Sequence, residues 1–123
     1  MSWVDDCVAI LRKLTVRDDE FFGSVLADDE KNVAVSGLDA RTHAFVRLGA
    51  MIALDAPTPA YHSSIEAALR AGSSLEEVVG ALVAVIPTAG VARVASAAPK
   101  LGLAVGYDVE AALEALDGES DNR

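Results

Sequence analysis

A run of fifteen residues without a charge, 78–92, most constrains what this chain can fold into. The run, VVGALVAVIPTAGVA, is too apolar to stay in water, yet it falls short of the roughly 20 residues that a membrane-spanning helix needs. Ser73 or Ser74 can cap a helix before it. The pattern therefore predicts a buried core helix that kinks or breaks after Ile86, because Pro87 removes a backbone donor.

Composition favours helices in the rest of the chain as well. Its 123 residues have the length of about one domain, and 52% of them are hydrophobic although only 5% are aromatic. Ala, Val and Leu must therefore fill the core, and side chains of this size suit closely packed helices better than a sheet. The expected fold class is all-α.

Hydrophobic periodicity places further helices early in the chain. Residues 3–14 carry apolar side chains at helical spacing, and a second short helix, capped near Thr15, is expected to follow. The polar stretch DDEKNVAVSG is interpreted as a connector. Asp39 is then a natural N-cap for an apolar helix that runs to about Leu54.

The helix that directly precedes the uncharged run begins within APTPAYHSS. Thr58 can cap it, Pro59 fits the first helical position, and Gly72 suits the residue after its last turn. A last short helix is expected from Asp108.

The charge balance limits the partners that the chain can have. The net charge is −9, which is the wrong sign for binding a phosphate backbone or an anionic membrane, so neither nucleic acid nor a membrane is an expected partner. A small anionic ligand can still bind where some of the ten Lys and Arg residues cluster. The start, MSWVDDCVAI, lacks the basic region of a signal peptide, so a cytoplasmic location is expected.

Cysteine and histidine usage disfavours metal and redox chemistry. Cys7 is the only cysteine, which excludes an intrachain disulfide, a Cys-x-x-Cys pair and a thiolate zinc site. The two histidines, His43 and His62, form no metal-ligand pattern, and no phosphate-binding loop or nucleophile elbow is present. No metal and no cofactor is expected.

Two stretches of the chain together give a recognisable order of helices; they are LDARTHAFVRLGAMIAL and HSSIEAALRAGSSLEEVVGALVAVIPTAGVARVASAA. A buried apolar helix, a loop, a helix ending at AGSSLEE and a long apolar helix with a central proline span about Leu38 to Asp108. This order resembles the carboxymuconolactone decarboxylase and alkylhydroperoxidase D-like superfamily.

The resemblance implies an all-α, AhpD-like bundle of about six helices that assembles into a homotrimer or a homohexamer. Assembly is also favoured by the sequence, because helices this apolar have more hydrophobic surface than one small core needs. In this scheme residues 1–37 form N-terminal helices and a connector, 38–116 form the family core, and 117–123 form a disordered acidic tail, all within one domain.

The reactive groups of the family are missing at the matching positions. Pro57 and Ala60 stand where the peroxidase branch has its two cysteines, Ser64 where it has a histidine, and Phe45 where it has a glutamate. Peroxide reduction needs a reactive thiolate and a resolving thiol, which Pro57 and Ala60 cannot supply. The decarboxylase branch lacks the cysteines but usually keeps the histidine, so Ser64 departs from that branch too.

His62 is the nearest alternative proton-transfer group, but it lies two residues before the family histidine and so on another helix face. It stands four residues before Glu66, and such a pair is suited to general acid or base catalysis. The competing interpretation is a surface ion pair on the first turns of a helix.

Tyr61 and Ser64 share a helix face and, with Phe45 and Ala60, would line the remodelled family pocket. Such a pocket would bind an apolar ligand with a hydroxyl to orient it. The alternative is that Phe45 fills the site as ordinary core.

Arg47, close to Arg41, and Arg93 are the candidates to hold a substrate carboxylate. Arg47 lies four residues after His43 and also fits a solvated stripe or a subunit contact. Arg93 stands alone in a long apolar segment and should face a carboxylate, an interface or a ligand.

These patterns lead to two hypotheses. The first is a cytoplasmic, oligomeric superfamily member that has lost the redox motif, is not a thiol peroxidase, and carries out cofactor-free proton transfer or decarboxylation on a small cyclic acid or lactone. His62 and Glu66 would then be catalytic, while Arg47, Tyr61, Ser64 and Arg93 would bind the substrate. The second is a non-catalytic member that serves assembly or small-molecule binding.

Overall fold

The computed structural model describes residues 3–106 and 114–118 and is helical through most of both ranges. The helices of the first range are α1 (Trp3–Thr15), α2 (Asp19–Leu26), α3 (Asp29–Ser36), α4 (Ala40–Ala53), α5 (Thr58–Arg70), α6 (Leu75–Ala89) and α7 (Val91–Ala104). Residues 114–118 are also helical, and neither range contains a strand. The all-α class is therefore confirmed. The expected helix start at Asp108 and residues 119–123 of the expected tail lie outside the described residues, whereas Asp117 and Gly118, which were expected to belong to the disordered tail, are helical.

The chain divides into two compact units, Met1–Asp39 with α1 to α3 and Ala40–Arg123 with α4 to α7. Within the described parts of both units, no helix has the length and apolar character that crossing a bilayer requires.

The turn between α1 and α2 is built differently from the expectation. Arg17 adopts the left-handed backbone conformation, with φ 54°, and α2 starts after Asp18. The Asp18 carboxylate accepts a hydrogen bond from the Phe21 amide at 3.1 Å. The expected cap at Thr15 is wrong, because Thr15 ends α1 and its hydroxyl donates to the Leu11 carbonyl instead.

The interpretation of DDEKNVAVSG as a connector is wrong as well, because most of this stretch forms α3. Asp28 caps this helix by accepting a hydrogen bond from the Lys31 amide at 3.1 Å. Gly37 ends it with φ 69°, a conformation that glycine adopts without steric cost. Caps at both ends thus stabilise a helix that has little hydrophobic periodicity of its own.

Unit 1 has a small apolar interior. The rings of Phe21 and Phe22 meet edge to face at 6.3 Å, and the Asn32 side chain bridges α3 to the Val25 carbonyl. Neither α2 nor α3 contains a fully buried residue, and an apolar groove of about 510 Å³ opens between the three helices. A unit of this size buries only a modest part of the apolar surface that its unfolded chain exposes.

Unit 2 contains a true core, in which α4 packs against α5, α6 and α7, and α7 also packs against α5 and α6. Helices α4 to α7 each contribute buried side chains, which are aliphatic except for one tyrosine, namely Ala44, Leu48, Ile52, Tyr61, Ile65, Ala68, Val78, Leu82, Ala97 and Leu101. Burying apolar side chains stabilises a fold by about 25 cal/mol per Å².

The ends of α5 largely match the sequence. Thr58 is the first helical residue and Pro57 the N-cap, one position earlier than expected, because the backbone of Pro57 is already extended. The helix ends before Gly72, which has φ 95° and donates its amide to the Leu69 carbonyl. The Ser73 amide closes the same turn onto Ala68.

Helix α6 starts at a capping box and ends later than expected. The Ser74 hydroxyl accepts from the Glu77 amide, and the Glu77 carboxylate accepts from the Ser74 amide. Of the expected kink or break after Ile86, the break is wrong, because the helix continues through Pro87 to Ala89 and is capped by Gly90. A proline in the last turn removes a single backbone donor, and this loss does not outweigh the remaining helical bonds.

Ser73 and Ser74 provide a matched pair of substitutions. Ser74→Ala is expected to lower the free energy of unfolding by about 1 kcal/mol because the cap is lost. Ser73→Ala should leave it unchanged or slightly raise it, since the buried Ser73 hydroxyl has no hydrogen-bond partner among the described residues. Chemical denaturation of both variants measures the difference. A larger loss in Ser73→Ala than in Ser74→Ala would contradict the assignment of the cap.

Candidate functional site

A groove of about 430 Å³ runs along one side of unit 2 and is the candidate functional site. Its walls are mostly aliphatic, and its polar members are His62 and Glu66 on α5; the lining residues are His62, Ile65, Glu66, Leu69, Leu75, Ala104 and Val105. We call it the His62 groove. Its volume lies in the range of small-molecule pockets, and such pockets typically combine apolar walls with few polar groups.

His62 and Glu66 therefore line one groove, but the carboxylate pairs with another residue. Glu66 Oε1 accepts a hydrogen bond from Arg70 Nη2 at 2.8 Å, one helical turn further along α5. No hydrogen bond or ion pair joins the two groove residues themselves within the described structure. The Glu66 carboxylate is thus shared with Arg70, and His62 is the other polar residue that lines the groove.

Tyr61 and Ser64 lie on the opposite, buried face of α5 and do not line the His62 groove. The Ser64 hydroxyl donates to the Met51 thioether at 3.3 Å, and Phe45 packs against the core from α4. Three of the residues expected to line the remodelled family pocket, Phe45, Tyr61 and Ser64, are thus part of the core packing.

Tyr61 is completely buried, yet its hydroxyl has no hydrogen-bond partner among the described residues. Burial, and after it the negative charge of Asp55, raises the pKa of the Tyr61 hydroxyl above its usual value. The phenol consequently stays protonated and neutral far into the alkaline range, and its ring acts as a core side chain.

The arginines expected to hold a ligand carboxylate lie away from the His62 groove. Arg47 is exposed on α4 and does not line the groove. Its neighbour Arg41 forms an ion pair with Glu77, which joins the start of α4 to the start of α6. Arg93, expected to face a carboxylate, an interface or a ligand, has a carboxylate partner in Asp55.

The Asp55 carboxylate contacts three donor side chains that lie on one face of α7. Its Oδ1 accepts from Ser96 Oγ at 2.7 Å and from Lys100 Nζ at 2.9 Å, and its Oδ2 lies 3.6 Å from Arg93 Nη1. Lys100 also donates to the Ala56 carbonyl at 3.1 Å. These contacts, which we call the Asp55 cluster, fasten the turn after α4 to the middle of α7.

The backbone of Asp55 adopts the left-handed conformation, which an aspartate side chain must be stabilised to keep. Its φ is 55°, and the Asp55 and Ala56 amides donate to the Ile52 and Met51 carbonyls in the turn that usually carries glycine at this position. An aspartate is tolerated in this conformation less well than glycine. The hydrogen bonds to Ser96 and Lys100 offset that cost.

The hydrogen bonds from Lys100 and Ser96 hold the pKa of the Asp55 carboxyl below its usual value. Partial burial opposes this shift, and the positive charges of Lys100 and Arg93 add to it. The carboxyl is therefore ionised near neutral pH.

Sequence reasoning identified Arg93 in this cluster but missed Asp55, Ser96 and Lys100. The available signal was the spacing of Arg93, Ser96 and Lys100, which puts three donors on one face of a helix. Asp55 gave no comparable signal, since it is one of nineteen acidic residues and is separated from Ser96 and Lys100 by more than forty positions.

Neither unit shows a metal or thiol site in its described part. No group of three or more His, Cys, Asp or Glu side chains that could hold a metal ion occurs in residues 3–106 and 114–118. Cys7 is exposed and lines the apolar groove of unit 1.

Comparison with known proteins does not assign the chain to a family. No protein-family model matches the chain, and neither a curated protein nor a solved structure matches it.

The Asp55 cluster predicts a specific dependence of stability on pH. Because the pKa is lower in the folded state than the value near 4 of an unfolded chain, the ionised carboxyl stabilises the fold above about pH 4, and this contribution is lost as the pH falls through the folded-state pKa. Asp55→Asn is expected to be less stable than the wild type at pH 7, with a difference that shrinks below pH 4. Thermal unfolding from pH 3 to pH 7 measures it.

Glu114→Gln, which removes one exposed carboxylate elsewhere, is the control for the change in net charge. It should follow the wild-type curve at every pH. An Asp55→Asn variant that parallels the wild type across the whole range would show that the carboxylate contributes nothing through ionisation.

Tyr61→Phe is expected to raise the free energy of unfolding by about 1 kcal/mol, because it removes a buried hydroxyl that has no partner. Tyr61→Leu, which also removes ring volume from the core, should lower it by about 2 kcal/mol or more. Urea unfolding of the two variants separates the hydroxyl from the ring. Destabilisation by Tyr61→Phe would mean that the hydroxyl has a hydrogen-bonded partner in solution.

Proposed function

We propose that the chain is a carboxymuconolactone decarboxylase-like protein without redox cysteines, which binds a small cyclic acid or lactone in the His62 groove. The observation that carries this proposal is the groove itself, in which one imidazole and one carboxylate stand against aliphatic walls. A ligand with an apolar ring and one oxygen-bearing edge fits that chemistry. Helices α4 to α7 and the capping box in AGSSLEE are compatible with the family, and a cytoplasmic location is part of the proposal.

His62 is the proposed catalytic group, because imidazole is well suited to proton transfer at neutral pH. In an isomerisation it would take a proton from the carbon beside the ligand carbonyl and return it at another carbon. In a decarboxylation the bond from that carbon to the carboxylate breaks, CO2 leaves, the electron pair passes to the carbonyl as an enolate, and His62 gives a proton to the carbon. Glu66 orients the ligand or the imidazole. Neither Arg47 nor Arg93 lines the groove, so the proposal assigns no arginine to a ligand carboxylate.

The alternative is a non-catalytic protein whose role is self-assembly, as a homotrimer or homohexamer, or binding alone. The observation that favours it is the exposure of large aliphatic side chains on α6, such as Val79 and Val83, in unit 2. Neither function involves a nucleic acid, since the net charge of −9 opposes phosphate binding.

Calorimetric titration with benzoate, cyclohexanecarboxylate and γ-butyrolactone tests the groove as the binding site. Ala104→Phe should weaken binding at least about tenfold, because Ala104 lines the groove and a benzyl group fills it. Ala95→Phe, on an exposed position of the same helix, is the matched control and should bind like the wild type. Equal affinity in both variants would exclude the His62 groove as the site.

For any ligand that is also converted, His62→Ala should lower kcat about 100-fold or more while leaving the dissociation constant within a few-fold. The measurement is product formation over time by NMR at neutral pH. Unchanged turnover would remove His62 from the mechanism, and binding without turnover of any probe would favour the binding protein.

A further inference from the structure

The three helices of unit 1 leave an apolar groove open between them. Helix α2 contacts both α1 and α3, whereas α1 and α3 make no close contact with each other among the described residues. The groove has a volume of about 510 Å³, and side chains of all three helices line it. We call it the unit 1 groove. Its volume lies within the range of small-molecule sites.

Helix α1 lines the unit 1 groove with one continuous apolar face. Cys7, Ile10, Leu11 and Leu14 occupy positions i, i+3, i+4 and i+7 of α1, which share one side of a helix, and all four line the groove. Leu11 is nonetheless 62% exposed. An apolar ligand in the groove would remove this surface from water and gain affinity from its burial.

The polar side chains of the unit 1 groove donate hydrogen bonds within unit 1. The Asn32 amide donates to the Val25 carbonyl at 3.0 Å, and the Ser36 hydroxyl donates to the Val33 carbonyl at 2.6 Å. A ligand in the groove therefore meets mainly hydrocarbon, and polar atoms of its own would lose their hydrogen bonds to water there. An alkyl chain is the group that fits this part of the site.

A polar recess of about 380 Å³ adjoins the unit 1 groove, and Phe21 and Val35 line both. Lys13 and Lys31 also line the recess. Lys13 Nζ lies 5.5 Å from the centre of the Phe21 ring, so one positive charge stands where the apolar and the polar parts meet. Neither lysine forms an ion pair with a carboxylate in the part of the chain that the structure describes. Both ammonium groups are therefore available to an anion.

We propose that unit 1 binds a medium-chain alkanoate, with its hydrocarbon chain in the unit 1 groove and its carboxylate at Lys13 and Lys31. Two lysines in one recess provide the local positive charge that an anionic ligand needs on a chain of net charge −9. The site lies in a different unit from the His62 groove, and it does not depend on the function proposed there.

The size of the unit 1 groove sets the length of the alkanoate. A closed apolar cavity of about 150 Å³ takes one benzene molecule. A groove of about 510 Å³ therefore has room for roughly ten or more carbon atoms. The apolar face from Cys7 to Leu14 extends about 10 Å along α1, so an elongated chain fits better than a compact ring.

Two carboxylates in the recess weaken the attraction of the lysines for an anion. Asp18 and Glu20 line the recess together with Lys13 and Lys31. The Asp18 carboxylate accepts a hydrogen bond from the Phe21 amide at the N-terminus of α2, where the helix dipole offsets part of its charge. Glu20 opposes an anionic head group. Removal of the Glu20 charge should therefore raise the affinity.

Calorimetric titration of the full chain with decanoate, octanoate and decyltrimethylammonium tests the site. Decanoate should bind about tenfold more tightly than octanoate, because two further methylenes are buried. Decyltrimethylammonium has the same alkyl chain and the opposite charge, so it should bind at least about fivefold more weakly than decanoate.

Leu11→Glu places a charge in the unit 1 groove and should weaken decanoate binding at least about tenfold. Val8→Glu is the matched control on the same helix. Val8 is 54% exposed and does not line the groove, so this variant should bind decanoate like the wild type. Because both positions are exposed, circular dichroism should show that both variants stay folded.

Lys13→Gln should weaken decanoate binding about fivefold, because it removes one of the two positive charges of the recess. Arg12→Gln loses the same charge at an exposed neighbouring position that lines neither the groove nor the recess, and it should bind decanoate like the wild type. Glu20→Gln should strengthen binding about threefold, since it removes a charge that repels the ligand.

Absence of decanoate binding up to about 1 mM would overturn the proposal. Equal affinities of Leu11→Glu and Val8→Glu would also overturn it, and so would tighter binding of decyltrimethylammonium than of decanoate, which would place the head group at the carboxylates of the recess. Loss of decanoate binding in Ala104→Phe would assign the alkanoate to the His62 groove instead. In sedimentation velocity, a wild type that self-associates without ligand and that Leu11→Glu makes monomeric would mean that a second copy fills the groove.

Discussion

The close approach of the four helices α4, α5, α6 and α7 to one another is the constraint on which the fold of unit 2 depends. Ala68 and Ala97 are completely buried between the helices, and Ala44 nearly so. A Cβ on Gly49 would lie 3.6 Å from the Val85 side chain, which shows how near α4 and α6 come. A chain with few aromatic residues has few large side chains to hold helices apart, so the backbones themselves must come close for the core to fill.

This close approach also makes the Asp55 cluster possible. The turn after α4 reaches α7 because the two helices contact each other and both pack on α5. Lys100 can then bind the Asp55 carboxylate and the Ala56 carbonyl together. An isolated ion pair at a partly exposed position contributes little to stability. The Asp55 carboxylate differs from such a pair, because it accepts two hydrogen bonds in a turn that would prefer glycine. It therefore holds the end of α4 against α7.

Whether a cap or a side-chain contact could be predicted from the sequence depended on how many residues separate its two partners along the chain. The capping box of Ser74 and Glu77 and the turn at Gly72 were predictable because their partners lie within a few residues. The cap at Asp28 was missed because α3 lacks the hydrophobic periodicity that announces a helix. Asp55 was beyond sequence reasoning, because its partners are more than forty residues away and only the packed helices bring them together.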